Sequence, residues 1–434
     1  MIRSMEPTLS TSSWTPPEGA VARGTVRPGG SKAIAQRAMV LAALASGRSR
    51  LLGVQRCQDV EIFASALEDL GIPVRFGEAG EIVIEGCGGD FPDGDRSISI
   101  GNNGSALRFF MAVAALRSDR TSIDAALHRP VAPLATALTE LGATVEYSRQ
   151  DGYPPLVVRG GELRGGRLTM RLESSSQFAS ALLMIAPVIA EGIHLRIVGP
   201  VVSRPYIDLT AAVVAAFGGK TRIEDREWVV KGGTGLQGGV LSIEPDASSA
   251  AMYLAAAAIT GGEVTVEGIA RNSRQGDASF PSILAMMGCE VISTRDGIQV
   301  RGGDLKGINI TMLDHPDLVP PLVAVAAFAR GETVIAGVGH LRHKECDRLS
   351  VLEDGLRKVG VPVRIDGDMI RVTGADPIDL VGASLDPSND HRMAMAFSLL
   401  GLRIPGVVVT NVDCAGKSDP EFFTRLTSLL GEER

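Results

Sequence analysis

The segment ALEDLGIPV (residues 66–74) carries the pattern that decides the fold: a helix-like apolar stretch ends in a large apolar residue and Gly, and a short strand-like run follows. The same pattern occurs six times, at Leu70-Gly71, Leu141-Gly142, Phe217-Gly218, Met287-Gly288, Val359-Gly360 and Leu430-Gly431. Successive glycines are separated by 71, 76, 70, 72 and 71 residues. A fixed period of this length is typical of repeated supersecondary units. A Gly just after a helix suits a C′ cap in the left-handed αL conformation, so we predict six repeated units with such caps.

About halfway through each period, a polar or charged cluster opens an Ala-rich apolar helix. The six clusters are Ser31-Lys32-Ala33 through Arg37, Asn102-Asn103-Gly104-Ser105 through Arg108, Ser174-Ser175-Ser176-Gln177, Asp246-Ala247-Ser248-Ser249, Asp314-His315-Pro316-Asp317, and Ser388-Asn389-Asp390-His391-Arg392. Ser, Asp and Asn are good N-caps, so one interpretation is six ordinary helix starts, and for Ser248 and Ser249 it is an equal alternative. Capping does not account for Lys32, Arg37 and Arg392. Helix N-termini offer free N–H groups and a positive dipole end, so these clusters predict a binding site for phosphates and carboxylates.

Runs rich in β-branched residues flank these helices and predict strands. They are residues 49–54, 82–85, 156–159, 193–198, 263–267, 298–301, 333–336, 370–373 and 407–412. Each unit therefore reads as helix, strand, helix, strand, strand, which indicates an α/β fold with mixed sheets. A chain of 434 residues corresponds to roughly two to three domains. We expect two domains of three units each, with the helices of each domain sharing one buried centre.

Turns rich in Gly and Pro indicate where the chain passes between the two domains. Boundaries at Pro28-Gly29-Gly30 and near 238–245 give one domain of residues 30–243 and a second of residues 1–29 plus 244–434. The first strand, within residues 19–26, then belongs to the second domain. Residues 1–19 are rich in Ser, Thr and Pro and lack the apolar region of a signal peptide, so they are expected to form a loose leader.

The composition narrows the class of protein. The formal net charge of −7 argues against a general nucleic-acid binder, which needs a basic face to replace the counterions of phosphates. The five cysteines are scattered without C-x-x-C spacing, so neither a disulfide framework nor a zinc site is indicated, and the chain is expected to be cytosolic. No uncharged apolar run approaches the ~18 residues of a membrane span. The six histidines do not cluster with further ligands, and we expect no metal site.

The sharpest local motif is KECDR (residues 344–348). On a helix, Lys344 and Arg348 would share one face, and two cations there repel unless a partner lies across from them. A solvated charged helix is the alternative. The strings NDHRMAM (389–395) and CAGKS (414–418) make that alternative less favoured.

Together, these motifs resemble those of enolpyruvyl transferases, specifically the 5-enolpyruvylshikimate-3-phosphate (EPSP) synthase family. The matching motifs are Ser31-Lys32 with Arg37, Gly101-Asn102-x-Gly104-Ser105 with Arg108, Arg129-Pro130, Ser175-Ser176-Gln177, Ser203-x-Pro205-Tyr206, Asp246-Ala247-Ser248-Ser249, Pro316-Asp317, Lys344-Glu345-x-Asp347-Arg348 and NDHRMAM. The resemblance implies two domains of three βαβαββ-type units each, like an inverse α/β barrel, with helix N-termini facing a cleft between the domains. It implies transfer of the enolpyruvyl group of phosphoenolpyruvate (PEP) to the 5-hydroxyl of shikimate 3-phosphate, in aromatic amino acid biosynthesis. It further implies no metal or organic cofactor, no nucleic-acid or membrane partner, and a cytoplasmic monomer.

The resemblance also assigns roles to single residues. Shikimate 3-phosphate is expected to contact the domain of residues 30–243, and the full set expected to bind it is Lys32, Ala33, Arg37, Ser175, Ser176, Gln177, Ser203, Tyr206, Asp317, His340 and Lys344. The set expected to bind PEP is Lys32, Gly104, Ser105, Arg129, Gln177, Arg348, Arg392 and Lys417. The expected catalytic residues are Asp317 as proton acceptor, Glu345 as proton donor to the PEP methylene, and Lys344 and Lys32 beside them. Both substrates are multiply anionic, and Arg forks bind carboxylate and phosphate bidentately. A structural ion pair is the alternative for Lys344 and Asp317.

The chain departs from the family pattern at positions that touch this site. Ala33 stands where the family normally has a Ser that hydrogen-bonds the shikimate moiety, Gln36 replaces Asn or His, His340 replaces Asn, and Cys346 replaces Thr or Ser. The alternatives are therefore a UDP-N-acetylglucosamine enolpyruvyl transferase, a transferase acting on a related cyclic acid, and a non-catalytic phosphate-binding or RNA-end-processing relative. The Ser-Ser-Gln and Lys-Glu-x-Asp-Arg motifs favour the shikimate branch. The family inhibitor glyphosate is expected to compete with PEP and to lie against the backbone of Gly104.

Overall fold

The computed structural model describes residues 12–17, 19–126, 129–293 and 297–431. They divide into two compact units. Unit 1 contains the described parts of Met1–Pro28, Ala247–Arg271 and Asp277–Arg434, and unit 2 contains those of Gly29–Asp246 together with Asn272–Gly276. The short segment Asn272–Gly276 stays with unit 2 because Ser273 Oγ and Gln275 Nε2 both donate to Glu244 Oε2, at 2.7 and 2.9 Å.

Strands and helices alternate along the whole described chain. The strands are β1 (Ser13–Trp14), β2 (Arg23–Val26), β3 (Ser46–Leu52), β4 (Val74–Phe76), β5 (Ile82–Cys87), β6 (Arg96–Ser99), β7 (Thr121–Asp124), β8 (Thr144–Tyr147), β9 (Leu156–Arg159), β10 (Gly166–Leu172), β11 (Ile193–Val201), β12 (Thr221–Glu224), β13 (Glu227–Val230), β14 (Val240–Ser242), β15 (Glu263–Glu267), β16 (Glu290–Ser293), β17 (Gly297–Arg301), β18 (Asn309–Thr311), β19 (Glu332–Ala336), β20 (Val363–Asp366), β21 (Met369–Thr373), β22 (Ser384–Leu385) and β23 (Val408–Thr410). The α-helices are α1 (Lys32–Leu44), α2 (Gln58–Asp69), α3 (Gly104–Ala114), α4 (Ala132–Glu140), α5 (Gln177–Ile185), α6 (Arg204–Ala216), α7 (Ala247–Thr260), α8 (Phe280–Met286), α9 (Val319–Ala326), α10 (Arg348–Lys358), α11 (His391–Gly401) and α12 (Phe422–Leu429).

The four-stranded sheets share one topology: two parallel strands, then an antiparallel hairpin whose second strand lies inside. Their strand orders are β14-β3-β5-β4, β6-β7-β9-β8 and β10-β11-β13-β12 in unit 2, and β2-β15-β17-β16 and β18-β19-β21-β20 in unit 1. In the five repeats with these sheets, a leading strand precedes the elements predicted from the residues, which gives the βαβαββ unit that the resemblance implied; the sixth repeat has the three-stranded sheet β1-β23-β22. Apart from the seven-residue β10, the leading strands have only two to four residues, so their apolar signal is weak. The predicted strands all occur, with ends shifted by up to three residues.

One repeat in each unit takes its leading strand from a distant part of the chain. In unit 1, β2 pairs in parallel with β15, so the first strand joins the C-terminal repeats. In unit 2, β14 pairs in parallel with β3. The prediction of a loose leader up to residue 19 was wrong for Ser13 and Trp14, because β1 pairs with β23 and the ring of Trp14 lies 5.3 Å from that of Phe423. Residues 1–11 and 18 lie outside the described residues.

A bundle of three helices forms the core of each unit. In unit 1, α7, α9 and α11 pack on one another and are buried over their entire length. In unit 2, α1, α3 and α5 do the same, and their few exposed or half-buried residues lie near the N-termini. Alanines let these helices approach closely, which confirms the buried centre predicted for each set of three repeats. Among the described residues, no helix is long and apolar enough to cross a membrane.

The glycines that define the repeat end their helices as predicted. The φ angles of Gly71, Gly142, Gly218, Gly288, Gly360 and Gly431 are +85°, +114°, +89°, +108°, +86° and +82°. A side chain is strained at such angles. The outer helix of each repeat therefore ends at a fixed residue, and after Gly71, Gly142, Gly218, Gly288 and Gly360 the following hairpin begins there.

Candidate active site

Arg348 lies at the centre of a buried charge cluster in unit 1. Its side chain is 1% exposed. The guanidinium donates through Nη1 to Asp317 Oδ1 (2.9 Å), through Nη2 to Glu345 Oε2 (3.0 Å) and through Nε to Asp390 Oδ2 (2.7 Å). Burial opposes the charge, but the three carboxylates raise the pKa of Arg348 well above its ordinary value. Arg348 is therefore a permanent cation that brings two predicted catalytic carboxylates together.

Asp390 holds the Arg348 guanidinium in place, a role that its position in the NDHRMAM motif did not predict. It is the N-cap of α11 and accepts from the backbone N of Arg392 at 2.9 Å, so its carboxylate is held by the helix start. A second bond from Arg348 Nη2 to its Oδ1 (3.2 Å) makes the pair bidentate. Cys346 Sγ lies 3.6 Å from Asp390 Oδ2 and donates to it, which is the bond that a Ser or Thr hydroxyl could make there.

Asp317 is surrounded by cations. It lies on a 3₁₀ turn, Pro316–Leu318, and its Oδ1 is also 3.1 Å from Arg392 Nε. The Nε–H of Arg392 does not point at this oxygen, so the contact is electrostatic rather than a hydrogen bond. Burial alone would raise the pKa of Asp317, but Arg392, Arg348 and Lys344 together hold it far below the usual range. Asp317 is therefore ionised at neutral pH.

The KECDR motif does not lie on one helix, contrary to the prediction. Asp347 accepts from the backbone N of Ser350 at 3.1 Å, so it is an N-cap and α10 begins at Arg348. Lys344 lies before that cap, directly after the 3₁₀ turn Gly339–His343. The alternative of a solvated helix is also wrong for Arg348, which is buried. The charge of Lys344 acts on Asp317, as both the catalytic and the ion-pair interpretations require.

His340 presents a neutral imidazole beside the same cluster. Its side chain is 7% exposed, and its Nε2 has no hydrogen-bond partner among the described residues. Burial and the neighbouring charge of Lys344 lower the pKa of His340 to about 4. A ligand could therefore bond to Nε2 without displacing a protein contact.

Lys417 is the last of the predicted site residues in unit 1. It ends the 3₁₀ helix Val412–Lys417 and is 7% exposed. A buried ammonium is costly unless it meets anionic partners or ligands.

In unit 2, Lys32 is the first residue of α1 and its Nζ lies 2.7 Å from Asp59 Oδ2. The backbone carbonyl of Asp59 accepts from Asn103 Nδ2 (3.0 Å) and Gln36 Nε2 (3.3 Å). Gln36, one of the departures from the family pattern, thus ties α1 to the start of α2. Sequence reasoning missed Asp59, whose only local signal is an acidic residue in the first turn of a helix.

The guanidinium of Arg37 makes its hydrogen bonds to other residues of unit 2. It is 3% exposed and donates to Thr210 Oγ1 (2.7 Å), Ser180 Oγ (3.2 Å) and the backbone oxygen of Ala33 (2.8 Å). Burial lowers the pKa of Arg37 to about 10, so it remains charged at neutral pH. Ala33 therefore contributes a backbone acceptor that orients this cation.

Two predicted ligand residues, Ser105 and Gln177, connect the N-terminal ends of α3 and α5. Gln177 Nε2 donates to Ser105 Oγ at 3.1 Å, and the backbone N of Gln177 donates to Ser175 Oγ at 3.2 Å. Ser176 is the N-cap residue of α5, but its side chain makes no capping bond. The pure capping interpretation is therefore wrong at Ser176, although Asn103 does cap α3 through Ala106 N (2.9 Å).

Ser203 adopts a strained backbone at the start of α6. Its φ and ψ are +56° and +42°, in the αL region that non-Gly residues seldom occupy. It is 5% exposed, and its carbonyl accepts from the backbone N of Tyr206 at 3.1 Å. Strain of this kind is retained where surrounding structure demands it and clusters at ligand sites. Ser203 and Tyr206 are both residues that the resemblance places against shikimate 3-phosphate.

Gly104 leaves the space in which Arg129 lies. A Cβ built on Gly104 would lie 2.6 Å from Arg129 Nη1 and 3.2 Å from Arg108 Nη1. Arg108 donates to the carbonyls of Gly104 and Pro130, each at 3.0 Å, and so connects the start of α3 to the Arg129-Pro130 segment. A side chain at this position would displace the end of Arg129.

The cysteines Cys57, Cys87, Cys289, Cys346 and Cys414 are free thiols. Across residues 12–17, 19–126, 129–293 and 297–431, no group of three or more His, Cys, Asp or Glu side chains is arranged to hold a metal ion.

Comparison with known proteins identifies the family. The sequence model of EPSP synthase (3-phosphoshikimate 1-carboxyvinyltransferase) matches residues 18–426. The 3-phosphoshikimate 1-carboxyvinyltransferase of Methanoculleus marisnigri is 41% identical over 402 residues, covering 91% of this chain and 94% of that protein. The protein of the same name from a Nostoc species is 36% identical, covering 94% of this chain and 96% of that protein.

Solved structures agree with the fold. An EPSP synthase from Acinetobacter baumannii superposes with a TM-score of 0.82 at 26% identity, covering 96% of this chain and 97% of that one. The enolpyruvyl transferase NikO from Streptomyces tendae has a TM-score of 0.77 at 16% identity, covering 95% and 96% of the two chains, and shares the fold alone. The predicted α/β fold with repeated βαβαββ units is confirmed. From the matched length, the identities and the shared fold, this chain belongs to the EPSP synthase (3-phosphoshikimate 1-carboxyvinyltransferase) family.

Proposed function

We propose that this chain is an enzyme that transfers the enolpyruvyl group of PEP to the 5-hydroxyl of shikimate 3-phosphate, giving EPSP and phosphate. The observation that carries the proposal is the buried cluster in which Arg348 holds Asp317 and Glu345 beside Arg392. It combines carboxylates that can move protons with cations that can bind an anion. Family membership and the relatives' names support the same reaction.

The reaction needs one proton removed and one delivered. The 5-hydroxyl oxygen bonds to C2 of PEP while its proton passes to Asp317, and C3 of PEP takes a proton from Glu345. The product of this step is a tetrahedral ketal that still carries phosphate. The C2–O bond to phosphate then breaks, the departing phosphate takes the proton that Asp317 holds, and one C3 proton returns to Glu345, which forms the enolpyruvyl ether and restores both carboxyl groups. Lys344 and Lys32 stabilise the negative charge that moves during these steps.

Asp317 becomes a better base when PEP binds. In the free site its pKa is held very low by Arg392, Arg348 and Lys344, which makes it a weak proton acceptor. The phosphate and carboxylate of PEP bring negative charge to the same cations. The pKa of Asp317 therefore rises toward a useful range only when the second substrate is present, which ties proton removal to PEP binding.

Unit 2 supplies the groups for shikimate 3-phosphate. Ser175, Ser176 and Ser203 lie at the starts of α5 and α6, where backbone N–H groups and the helix dipole favour a phosphate. Ala33 removes one side-chain hydroxyl from this site. A hydrogen bond to a charged ligand contributes about 1.5–3 kcal/mol, so affinity for shikimate 3-phosphate is expected to rest on the remaining cations and serines. A cytoplasmic, monomeric enzyme belongs to the same proposal.

Phosphate release tests this function. Purified protein is incubated with PEP and, separately, with shikimate 3-phosphate, shikimate, or UDP-N-acetylglucosamine as acceptor. Phosphate release that depends on shikimate 3-phosphate supports the proposal. Release with UDP-N-acetylglucosamine instead, or release without an acceptor, would refute it.

A further inference from the structure

A second buried charge network lies in unit 1, next in sequence to Lys417. Asp419 is 2% exposed and lies between two other elements of the same unit. Its Oδ2 accepts from the hydroxyl of Tyr253 on α7 at 3.1 Å, and its Oδ1 accepts from Arg425 Nη1 on α12 at 2.6 Å. The mechanism described above uses none of these three side chains.

The network has a fixed charge state. Burial, and then the negative charge of Asp419, raises the pKa of Tyr253 well above its ordinary value, so the phenol stays neutral and donates. A buried carboxylate is unfavourable unless it is paired and hydrogen-bonded, and Arg425 and Tyr253 satisfy one oxygen each. The position of Asp419 is therefore fixed from both sides, by a central helix and by an outer helix.

The backbone connects Asp419 to Lys417. The amides of Ser418 and Asp419 both donate to the carbonyl of Ala415, at 3.1 and 2.9 Å, and the amide of Phe422 donates to the carbonyl of Asp419 at 3.2 Å. Lys417 thus lies inside one closed turn whose end is Asp419. Because Lys417 is 7% exposed, its ammonium has little room to correct for a shift of that turn.

We propose that Asp419, held by Tyr253 and Arg425, is a positioning residue that sets the location of the Lys417 ammonium and thereby the affinity for PEP. This inference rests on the proposed function, in which Lys417 binds PEP. Asp419 touches no substrate itself. It acts on the PEP side only, so binding of shikimate 3-phosphate does not depend on it.

Two variants test the positioning role of Asp419. Tyr253→Phe removes the hydroxyl but keeps the ring, whose centroid lies 5.5 Å from that of Phe422. Asp419→Asn keeps the shape and removes the charge that Arg425 pairs with. Since a misplacement of about 1 Å can cost on the order of 100-fold, we expect each variant to raise KM for PEP by about 10-fold or more, with KM for shikimate 3-phosphate within about 2-fold of wild type.

The matched control is Thr260→Val, at the C-terminal end of α7. Thr260 Oγ1 accepts from the backbone N of Ala22 at 3.0 Å, so this variant also removes a buried hydroxyl bond from the same helix. It is expected to lower the unfolding midpoint without changing either KM. Unfolding midpoints are measured for all variants, so loss of stability is separated from loss of PEP affinity.

The outcomes separate this inference from the proposed function. Lys417→Ala is measured in parallel and is expected to raise KM for PEP strongly. If it does, while Tyr253→Phe leaves KM for PEP unchanged, the positioning role is overturned and the function stands. If Lys417→Ala leaves KM for PEP unchanged, both the role of Lys417 and the inference fail. Equal increases in both KM values for Tyr253→Phe, or an increase in Thr260→Val, would show a general structural effect and overturn the inference. Should Asp419→Asn not fold, Tyr253→Phe alone decides.

Discussion

Replacing Gly104 with alanine should weaken PEP binding without destabilising the protein. The added Cβ would lie 2.6 Å from Arg129 Nη1, and real Cβ contacts are rarely closer than about 3.4 Å. Arg129 is a long side chain and can move away at its end. The displacement needed is roughly 0.8 Å, a distance at which a positioned catalytic or binding group loses most of its effect.

The size of the loss follows from the contact that is disturbed. Arg129 is proposed to bind PEP through charge-assisted hydrogen bonds, each contributing about 1.5–3 kcal/mol. Losing one corresponds to a rise in KM for PEP of about 10- to 100-fold. The stability should not fall, because Gly104 is the first residue of α3 and alanine favours a helix by up to about 1 kcal/mol over glycine. Glyphosate, which is longer, is expected to lose more affinity than PEP because it also meets the added methyl.

The assay is steady-state phosphate release over a series of PEP concentrations, repeated with glyphosate, together with thermal unfolding. Gly239→Ala is the matched control, since a Cβ at Gly239 in the same unit has no atom within 4 Å. An unchanged KM for PEP in Gly104→Ala would refute the reasoning, as would the same rise in Gly239→Ala. Equal losses for PEP and glyphosate would refute the part that concerns the inhibitor.

Three further predictions follow from the cluster around Arg348. Asp317→Ala should lower kcat by about 100- to 10,000-fold, the range for a lost general base, with a much smaller change in KM for PEP; a variant that loses only affinity would contradict this role. The pKa of His340 is about 4 in the folded protein instead of 6.5, so the unfolded chain binds the proton first and stability is lost as pH falls from 6.5 to 4. Between pH 7 and pH 5, His340→Asn should therefore lose about 2 kcal/mol less unfolding free energy than wild type, measured by urea titration. Equal losses in the two proteins would contradict this prediction. Arg348→Lys should lower the unfolding free energy by about 3–5 kcal/mol because it breaks a buried network. The control Arg357→Lys, in an exposed pair with Glu353 on the same helix, should change the unfolding free energy by at most about 1 kcal/mol. Similar losses in both variants would count against the buried network.

The repeat could be predicted from sequence because its signals are local. A Gly that ends a helix needs only its own φ and its neighbours, and all six glycines have the predicted backbone. The inner hairpin strands β5, β9, β17 and β21 are rich in β-branched residues and were predicted for the same reason, whereas their outer partners β4, β8, β16 and β20 and the whole β12-β13 hairpin were not. Among the leading strands only β2 was predicted, since strands such as β14 and β22 are three and two residues long and depend on partners elsewhere in the chain.

The candidate site, too, could be predicted from sequence only in part. Cations and carboxylates at helix starts could be selected by residue type, and Asp317, Glu345 and Arg348 do lie together. Their anchors could not be predicted, because Asp390 and Asp59 reach their partners only after the helices pack. The error at KECDR had a readable signal: Asp is a favoured N-cap residue, and Asp347 as the cap places the helix start at Arg348.

The central claim is that this chain forms EPSP rather than another enolpyruvyl product. The most direct measurement is a competition in which purified protein receives ¹³C-labelled PEP with equal concentrations of shikimate 3-phosphate and UDP-N-acetylglucosamine, followed by mass spectrometry of the products. The account predicts labelled EPSP, with one phosphate released per molecule formed, and no labelled sugar nucleotide. Label on the sugar nucleotide, or consumption of PEP with no label on shikimate 3-phosphate, would contradict it.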